Sequence, residues 1–255
     1  MARAGKTYFI TGGASGLGLA CVERLYKEGA NVAIVDRDKA GADIAAKLGA
    51  RAIFCETDIV DESSVASAVE KTAATFGGLH GCVNCAGTGM AMTTIGKDLK
   101  PHPANVFDMI MKLNTYGTFY ASAHCASAMA KSAAAEDGSR GVIINVASVA
   151  GIEGQKGQLV YSASKGAVIG MTLPMARDLG RHGIRVMTIA PGIMDTPLMQ
   201  AAAPKVKEGL LAQVAAPKRF GISDEFASLV TSIIDNGYLN GEIIRLDGGI
   251  RFANL

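Results

Sequence analysis

Short apolar runs alternate with helical patterns along the whole chain, and no other feature limits the possible folds as strongly. The apolar runs predict strands at residues 7–11, 31–35, 51–55, 79–84, 141–147, 184–190 and 241–246. Helical periodicity occupies residues 19–28, 40–48, 62–76, 106–131, 159–179 and 223–235 between them. Repeated β-α-β units produce parallel strands covered by helices. The sequence therefore predicts an α/β fold with a doubly wound, seven-stranded parallel sheet and helices on both faces.

The size and composition of the chain favour a single domain. Its 255 residues are 49% hydrophobic and 19% charged, which is enough apolar material for one core. No linker, repeat or low-complexity stretch divides residues 1–255. A net charge of +2 provides no basic surface for nucleic acid, and no apolar stretch approaches the ~18 residues of a membrane-spanning helix. We therefore expect neither a nucleic-acid partner nor a membrane.

The cysteines bear on the compartment and on metal binding. Cys82 and Cys85 form a CxxC in a predicted strand, where residues three apart face opposite sides, so buried thiols are favoured over a redox or metal site. The odd total of five argues against a disulfide framework, and the first strand leaves no room for a signal peptide. We expect an intracellular protein without a metal, and the sequence does not decide between mitochondrion and cytoplasm.

A glycine-rich turn, TGxxxGxG over residues 11–18, joins the first predicted strand to the first predicted helix. Glycines let the backbone approach a pyrophosphate, and the helix N-terminus supplies N–H donors. A turn without a ligand is the alternative, which the strand and helix on either side disfavour. The motif predicts a Rossmann-type dinucleotide site, whose candidate residues here are Gly12, Ser15, Gly16, Leu17 and Gly18.

Acidic and small residues end the next strands. Asp36 stands where a dinucleotide site places an acid, which accepts hydrogen bonds from the adenosine ribose and repels a 2′-phosphate. The expected cofactor is therefore NAD, although the neighbouring Arg37 could receive that phosphate in NADP. Asp58 is a candidate either for the adenine amino group or for capping its own turn. At the end of the fourth strand, small residues let the chain pass close to the ribose, which adds Asn84, Ala86 and Gly87.

Four polar residues form a candidate catalytic group. Tyr161 and Lys165 make a YxxxK motif on one helical face, although a surface pair is the alternative for this motif alone. An adjacent ammonium favours the phenolate, so we expect a lowered tyrosine pKa and an acid/base near neutral pH. Ser148 can hydrogen-bond the substrate oxygen. Asn114 is unfavourable in mid-helix, and it can bend the helix and hold a water that relays protons from Lys165.

These motifs, taken in order, resemble the short-chain dehydrogenase/reductase family over almost the full length. The resemblance implies that Asn114, Ser148, Tyr161 and Lys165 form a catalytic tetrad, and that the last two also hold the nicotinamide ribose. It implies that the nicotinamide carboxamide is positioned by Pro191, Gly192, Ile193 and Thr196. Cys85 and Ala190 replace asparagines that are frequent in the family, and neither belongs to the tetrad.

Longer strings narrow the resemblance to the type-2 3-hydroxyacyl-CoA dehydrogenases, also known as 17-beta-hydroxysteroid dehydrogenase type 10. They cover residues 141–145, 154–158, 170–174, 185–192 and 241–247. This resemblance implies NAD-linked interconversion of 3-hydroxyacyl-CoA and 3-ketoacyl-CoA in fatty acid metabolism, or the oxidation of hydroxysteroids. Gln155 and Gln158 can donate to a thioester carbonyl. Residues at about 193–219 form either a substrate lid or ordinary core contacts.

Other functions stay open at this stage. The same chemistry serves other secondary alcohols, and it serves 3-ketoacyl-carrier-protein reductases, for which NADPH would be expected. A non-catalytic scaffold subunit would keep the fold without the chemistry, which the intact tetrad disfavours. The expected partner is a small-molecule substrate, an acyl-CoA or a steroid. Because the family is mostly tetrameric through two long helices, here 106–131 and 159–179, the resemblance also implies a homotetramer.

Overall fold

One parallel sheet with the strand order β3-β2-β1-β4-β5-β6-β7 organises the molecule. The structure is a computed structural model that describes residues 3–200 and 203–252, together with the backbone but not the side chain of Leu198. Residues 201 and 202 of the expected lid lie outside the described residues. The strands are β1 Thr7–Thr11, β2 Asn31–Asp36, β3 Ala52–Glu56, β4 Gly81–Asn84, β5 Gly141–Val146, β6 Ile184–Pro191 and β7 Ile243–Leu246. The predicted doubly wound Rossmann-type sheet is confirmed.

Helices cover both faces of the sheet. They are α1 Gly16–Lys27, α2 Ala40–Leu48, α3 Glu62–Phe76, α4 Ala104–Met111, α5 Gly117–Ala130, α6 Ala150–Glu153, α7 Leu159–Gly180, α8 Pro197–Gln200, α9 Pro204–Ala212 and α10 Ser223–Asp235. One buried cluster joins α1, α2 and α10 to the sheet, and a second joins α3, α5 and α7 to the other face. No helix in the described part of the chain is long and apolar enough to cross a membrane.

The cleft for a ligand follows from the strand order. The connection from β1 runs to β2 on one side, whereas β4 pairs with β1 on the other, with Thr11 opposite Asn84. The chain thus leaves the sheet in opposite directions at the carboxyl ends of β1 and β4, and α/β folds bind ligands at such a point. Every predicted site motif lies at or beyond the carboxyl end of one of the strands, on this same edge of the sheet.

The helix expected at residues 106–131 differs from the observed structure. The chain is helical from Ala104 to Ala130, but residues 112–116 form a π-turn that separates α4 from α5. Asn114 lies in this turn, and its side chain is hydrogen-bonded elsewhere, as described below. The π-turn lies where we expected Asn114 to bend the helix, and π-turns often occur at functional sites.

At the amino end of the sheet, His80 is expected to make stability depend on pH. Its Nδ1 accepts a hydrogen bond from the Thr7 amide at 3.1 Å, and burial, with a smaller contribution from Lys6, lowers the pKa of His80. As pH falls from the ordinary value of 6.5 toward this lowered pKa, the unfolded chain takes up a proton that the folded chain does not, so stability is lost. His80→Asn keeps an acceptor that does not titrate.

Urea unfolding at several pH values measures this effect. The wild type should lose stability more steeply than His80→Asn as pH falls below 6.5, and the two should run in parallel at pH 7.5 and above. Equal slopes on the acid side would show that His80 does not carry the dependence.

Candidate active site

The glycine-rich turn requires glycine for reasons of space. Gly12 has a φ of +65°, and a Cβ at this position would lie 2.9 Å from the Ala86 amide nitrogen. A Cβ on Gly18 would overlap the Gly12 carbonyl, because the first turn of α1 packs directly on the loop. The backbone of the turn therefore remains uncovered by side chains where it meets the end of β4.

The N-terminus of α1 offers donors to an anion. Ser15 is the N-cap residue, with an extended backbone and no side-chain capping bond, and the first turn contains no acidic residue. Thr196, from the segment after β6, lies beside this helix start, with its side chain 3.8 Å from the position of a Cβ on Gly16. Exposed amides and a helix dipole between these two segments suit a pyrophosphate.

The acidic residues beyond the turn are held by backbone amides. Asp36 Oδ2 accepts a hydrogen bond from Ala14 of the glycine-rich turn at 3.1 Å, and its Oδ1 accepts one from the Asp38 amide at 3.0 Å. The negative charge is thereby fixed beside the cleft, while Arg37 is exposed. Asp58 Oδ1 accepts a hydrogen bond from the Val60 amide at 3.1 Å, so this side chain caps its own turn.

Asn84 supports the cleft from beneath. Its Nδ2 donates to Asn145 Oδ1 at 2.8 Å and to Ser122 Oγ at 2.9 Å, and the side chain is buried between β4, β5 and α5. Only the backbone of Asn84 thus remains available to a cofactor. Ala86 is tied to the end of β1, because its amide donates to Thr11 Oγ1 at 3.1 Å.

Tyr161 and Ser148 face each other across the end of the sheet. Burial raises the pKa of the Tyr161 phenol, and a hydrogen bond with Ser148 partly opposes this increase. The expectation of a lowered tyrosine pKa is wrong for this structure, because desolvation outweighs the favourable contact. At neutral pH the phenol is protonated and can donate to a carbonyl oxygen.

Lys165 is nearly buried, and its Nζ donates to the Val146 carbonyl at 2.8 Å, at the end of β5. Its Nζ lies over the Tyr161 ring, 5.9 Å from the ring centroid, so the two side chains are neighbours on α7. Burial lowers the pKa of Lys165 to about 8. The side chain is therefore still mostly an ammonium at pH 7, and it brings a positive charge to the cleft.

The π-turn places Asn114 under the same cleft. Asn114 is fully buried; its Oδ1 accepts from the Thr88 amide and its Nδ2 donates to the Thr88 carbonyl, both at 2.9 Å. Nδ2 also donates to Ser164 Oγ at 3.0 Å. A Cβ on Gly87 would lie 3.0 Å from Asn114 Oδ1 and 3.4 Å from Lys165 Nζ, so only glycine leaves room between them. The four tetrad candidates therefore surround one end of the cleft.

The predicted substrate glutamines occupy the loop that precedes α7. Gln158 Oε1 accepts a hydrogen bond from the Gln155 amide at 2.8 Å, so Gln158 shapes this loop. The loop also contacts the segment after β4, because the Met92 amide donates to the Gly157 carbonyl at 2.7 Å. The two segments form one wall beside Tyr161, with Gln155 half-buried in it.

The segment expected to hold the nicotinamide follows β6. Pro191 is buried, and its carbonyl accepts from the Val149 amide at 3.0 Å, next to Ser148. The Gly192 amide donates to the Leu246 carbonyl at 2.9 Å, and Ile193 is half-buried. The bond from Val149 places the end of β6 beside Ser148.

Sequence reasoning did not identify two supporting residues. Ser164 is fully buried and bridges Asn114 to the Tyr161 carbonyl, to which its Oγ donates at 2.8 Å. Its position inside the YxxxK motif, three residues after Tyr161, was the available signal. Thr88 binds Asn114 only through its backbone, and such contacts leave no signal in the side chains.

The arrangement fits a dinucleotide. It combines an uncovered glycine-rich turn, a helix N-terminus without acidic residues, a fixed carboxylate and a buried ammonium along one cleft. Beside it, a phenol and a hydroxyl face the same space. Such a site can bind a nucleotide with two phosphates and exchange a proton with an oxygen atom held near Tyr161.

Comparison with known proteins agrees with this chemistry. The family model described as short chain dehydrogenase matches residues 6–207. The human protein named 3-hydroxyacyl-CoA dehydrogenase type-2 is 47% identical over 249 residues, covering 97% of this chain and 95% of its own. The Drosophila melanogaster protein of the same name is 45% identical over 244 residues, covering 95% and 96%. A crystal structure of 3-hydroxyacyl-CoA dehydrogenase type-2 from Mycobacterium avium superposes with a TM-score of 0.94 at 40% identity and covers 98% of both chains. The chain therefore belongs to the short-chain dehydrogenase family and is an oxidoreductase.

Proposed function

We propose that the protein is an NAD-dependent dehydrogenase that interconverts 3-hydroxyacyl-CoA and 3-ketoacyl-CoA. The observation that carries the proposal is the meeting of Tyr161, Ser148, Lys165 and Asn114 at one end of the dinucleotide cleft. The substrate class rests on the names of relatives at 45% and 47% identity that cover nearly the whole chain. The wall formed by the loop before α7 and the segment after β4 gives an acyl-CoA a surface beside Tyr161.

Each of the four tetrad residues has its own role in this reaction. In the reductive direction the Tyr161 phenol donates its proton to the ketone oxygen, and the Ser148 hydroxyl orients that oxygen. A nicotinamide bound in the cleft would supply or accept the hydride, and Lys165 would hold its ribose. The positive charge of Lys165 stabilises the phenolate after the proton has left. Asn114 binds the Thr88 backbone and Ser164 Oγ, and because Ser164 directly precedes Lys165 on α7, Asn114 fixes the backbone next to Lys165.

The first experiment measures NADH consumption with acetoacetyl-CoA, in parallel with NADPH and with a steroid ketone. Rapid turnover with acetoacetyl-CoA and NADH supports the proposal. Turnover of the steroid ketone alone would change the assigned substrate to a steroid and would leave the assigned type of reaction unchanged. Absence of turnover with any ketone, from a folded protein that binds NADH, would contradict a catalytic function.

Replacing Asp36 tests the choice of NAD. Asp36→Asn keeps an oxygen that can accept from Ala14 but removes the negative charge that repels a 2′-phosphate, and Arg37 is next to it. We expect kcat/KM with NADPH to rise by about tenfold or more, since about 1.4 kcal/mol of lost repulsion suffices for that factor. The matched control is Asp38→Asn, an exposed neighbour that caps only the Ala40 amide. Equal ratios of NADPH to NADH activity in both variants would exclude Asp36 as the selective group.

Exposed apolar side chains support a homotetramer. On α4, the π-turn and α5, Met109, Tyr116 and Phe119 are 46%, 50% and 49% exposed, and Leu173 on α7 is 44% exposed. Large exposed apolar groups on neighbouring helices are typical of interfaces between subunits. Light scattering of the purified protein tests this, and a monomeric mass would contradict it.

Unpaired cysteines, which persist in reducing compartments, support an intracellular location, mitochondrial or cytoplasmic.

A further inference from the structure

The end of β7 and the segment after it, residues 246–252, connect the expected lid (residues 193–219) to the loop that carries Ser148, and we call them the C-terminal strap. Ile250 in the strap is fully buried in one cluster with Val149, the neighbour of Ser148, and with Val214 at the end of the lid. The carbonyl of Gly248 accepts hydrogen bonds from the amides of residues 215 and 216, both at 3.0 Å. The strap therefore touches both elements that border the substrate side of the cleft.

Arg245, the residue next to the strap, fixes its position. Its Nη2 donates to Glu153 Oε1 at 2.6 Å and to the Ile250 carbonyl at 2.9 Å, and its Nε donates to Asp247 Oδ2 at 2.7 Å. The Arg245 side chain is 22% exposed and that of Asp247 is 9% exposed. Charge-assisted hydrogen bonds of this length, partly shielded from water, are stronger and more directional than surface ion pairs.

Glu153 is linked in turn to Ser148 through the single turn of α6. The Glu153 amide donates to the Val149 carbonyl at 2.9 Å, and Ser148 begins the same turn by accepting at Oγ from the Ala150 amide at 3.1 Å. A shift of Glu153 therefore moves the backbone that orients the Ser148 hydroxyl. Hydrogen bonds and the backbone of α6 thus link Arg245 to the Ser148 hydroxyl, the group that faces Tyr161.

Side-chain packing between the lid and the strap is incomplete. A cavity of about 350 Å³ is bordered by Ile193, Val214 and Pro217 of the lid and by Leu246 and Gly248 of the strap. The hydrogen bonds from the amides of residues 215 and 216 to the Gly248 carbonyl therefore contribute to holding this part of the lid against the strap.

We propose that Arg245 is a positioning residue, which holds Ser148 and the lid in register through its bonds to Glu153, Asp247 and Ile250. The proposal rests on the proposed function only in that the reaction uses Ser148. Without the guanidinium, Glu153 loses this partner, and Asp247 keeps the Gly249 amide at 3.0 Å and the more exposed Arg251, whose Nη1 lies at 3.2 Å. The α6 turn is then free to move away from the position that orients the hydroxyl.

Kinetics of matched variants provide the first test. We expect Arg245→Met to lower kcat by about 10- to 100-fold, the range for a small misplacement of a reacting group, and Arg245→Lys to restore part of it. Arg245→Met added to Ser148→Ala should lower kcat much less than it does in the wild type. Arg24→Met is the control, because the Arg24 side chain is 29% exposed, close to the value for Arg245, and it forms an ion pair with Asp224 that is remote from the cleft; this variant should leave kcat unchanged. Independent, multiplicative effects of the Arg245 and Ser148 variants would overturn the proposal.

Amide hydrogen exchange provides a second test that needs no substrate. Arg245→Met should increase exchange in peptides that cover residues 148–153 and 214–216, whereas Arg24→Met should not. Unchanged exchange in both peptides would overturn the proposal, whatever the substrate proves to be. An increase in both peptides without any ketone turnover in the wild type would support the positioning network and contradict the proposed function instead.

Discussion

Tyr161→Phe is expected to lower kcat for ketone reduction by about 10²- to 10⁴-fold, the range that a positioned general acid contributes. The phenol hydrogen-bonds Ser148 at the edge of the cleft, and phenylalanine preserves the ring while it removes the only proton that this side chain can donate. Initial rates of NADH oxidation with acetoacetyl-CoA at saturating concentrations measure the effect.

Two controls separate this loss from damage to the site. NADH binding, followed by nicotinamide fluorescence, should be retained, because the dinucleotide contacts expected from the glycine-rich turn and Lys165 remain. Tyr238→Phe, at a tyrosine that is 99% exposed, should keep the wild-type rate. Activity near the wild-type level in Tyr161→Phe would assign the proton transfer to another group.

The pKa shifts set the direction of the pH dependence for the same reaction. Reduction needs the protonated phenol, and the raised pKa of Tyr161 keeps that form present across neutral pH. Oxidation of the alcohol needs the phenolate, so its rate should rise with pH. Lys165, whose pKa is lowered to about 8, loses its positive charge at a lower pH than the Tyr161 phenol loses its proton, and this loss limits the increase.

The fold was predictable because its signals are local and repeated. Strand and helix patterns alternate with the spacing of β-α-β units, and the observed strands differ from the predicted ones by at most two residues at either end. The π-turn at residues 112–116 was predictable only as a bend. Its geometry depends on bonds between Asn114 and the backbone of Thr88, which approaches from another segment.

The side-chain directions of the candidate site were harder to predict than its location. Asn84 is in the expected motif, yet its amide turns inward because Ser122 and Asn145 offer it buried partners. Asp58 combines the expected position with a local capping bond, which any aspartate before a helix can form. The pKa of Tyr161 depends on burial by segments that are distant in sequence. Reasoning from the nearby Lys165 therefore predicted a lowered pKa, whereas burial raises it.

Gly18→Ala is expected to damage the dinucleotide site more than a methyl group added at any other position. Its Cβ would overlap the Gly12 carbonyl, a backbone atom that cannot rotate away, so the turn must move relative to α1. A displacement of this kind typically costs about 10²-fold in rate, and the strained packing costs about 1–3 kcal/mol of stability. Measurements of kcat/KM for NADH and of urea unfolding test the two effects.

Gly180→Ala is the matched control for this substitution. Gly180 ends α7, and a Cβ there meets no atom within 4 Å, so alanine should leave both kcat/KM and stability close to the wild type. Loss of NADH binding in Gly18→Ala alone would show that the close contact between α1 and the turn is what keeps the backbone open to a pyrophosphate. Wild-type NADH kinetics in Gly18→Ala would contradict this, because they would mean that the turn relaxes around the added methyl group and still binds the cofactor.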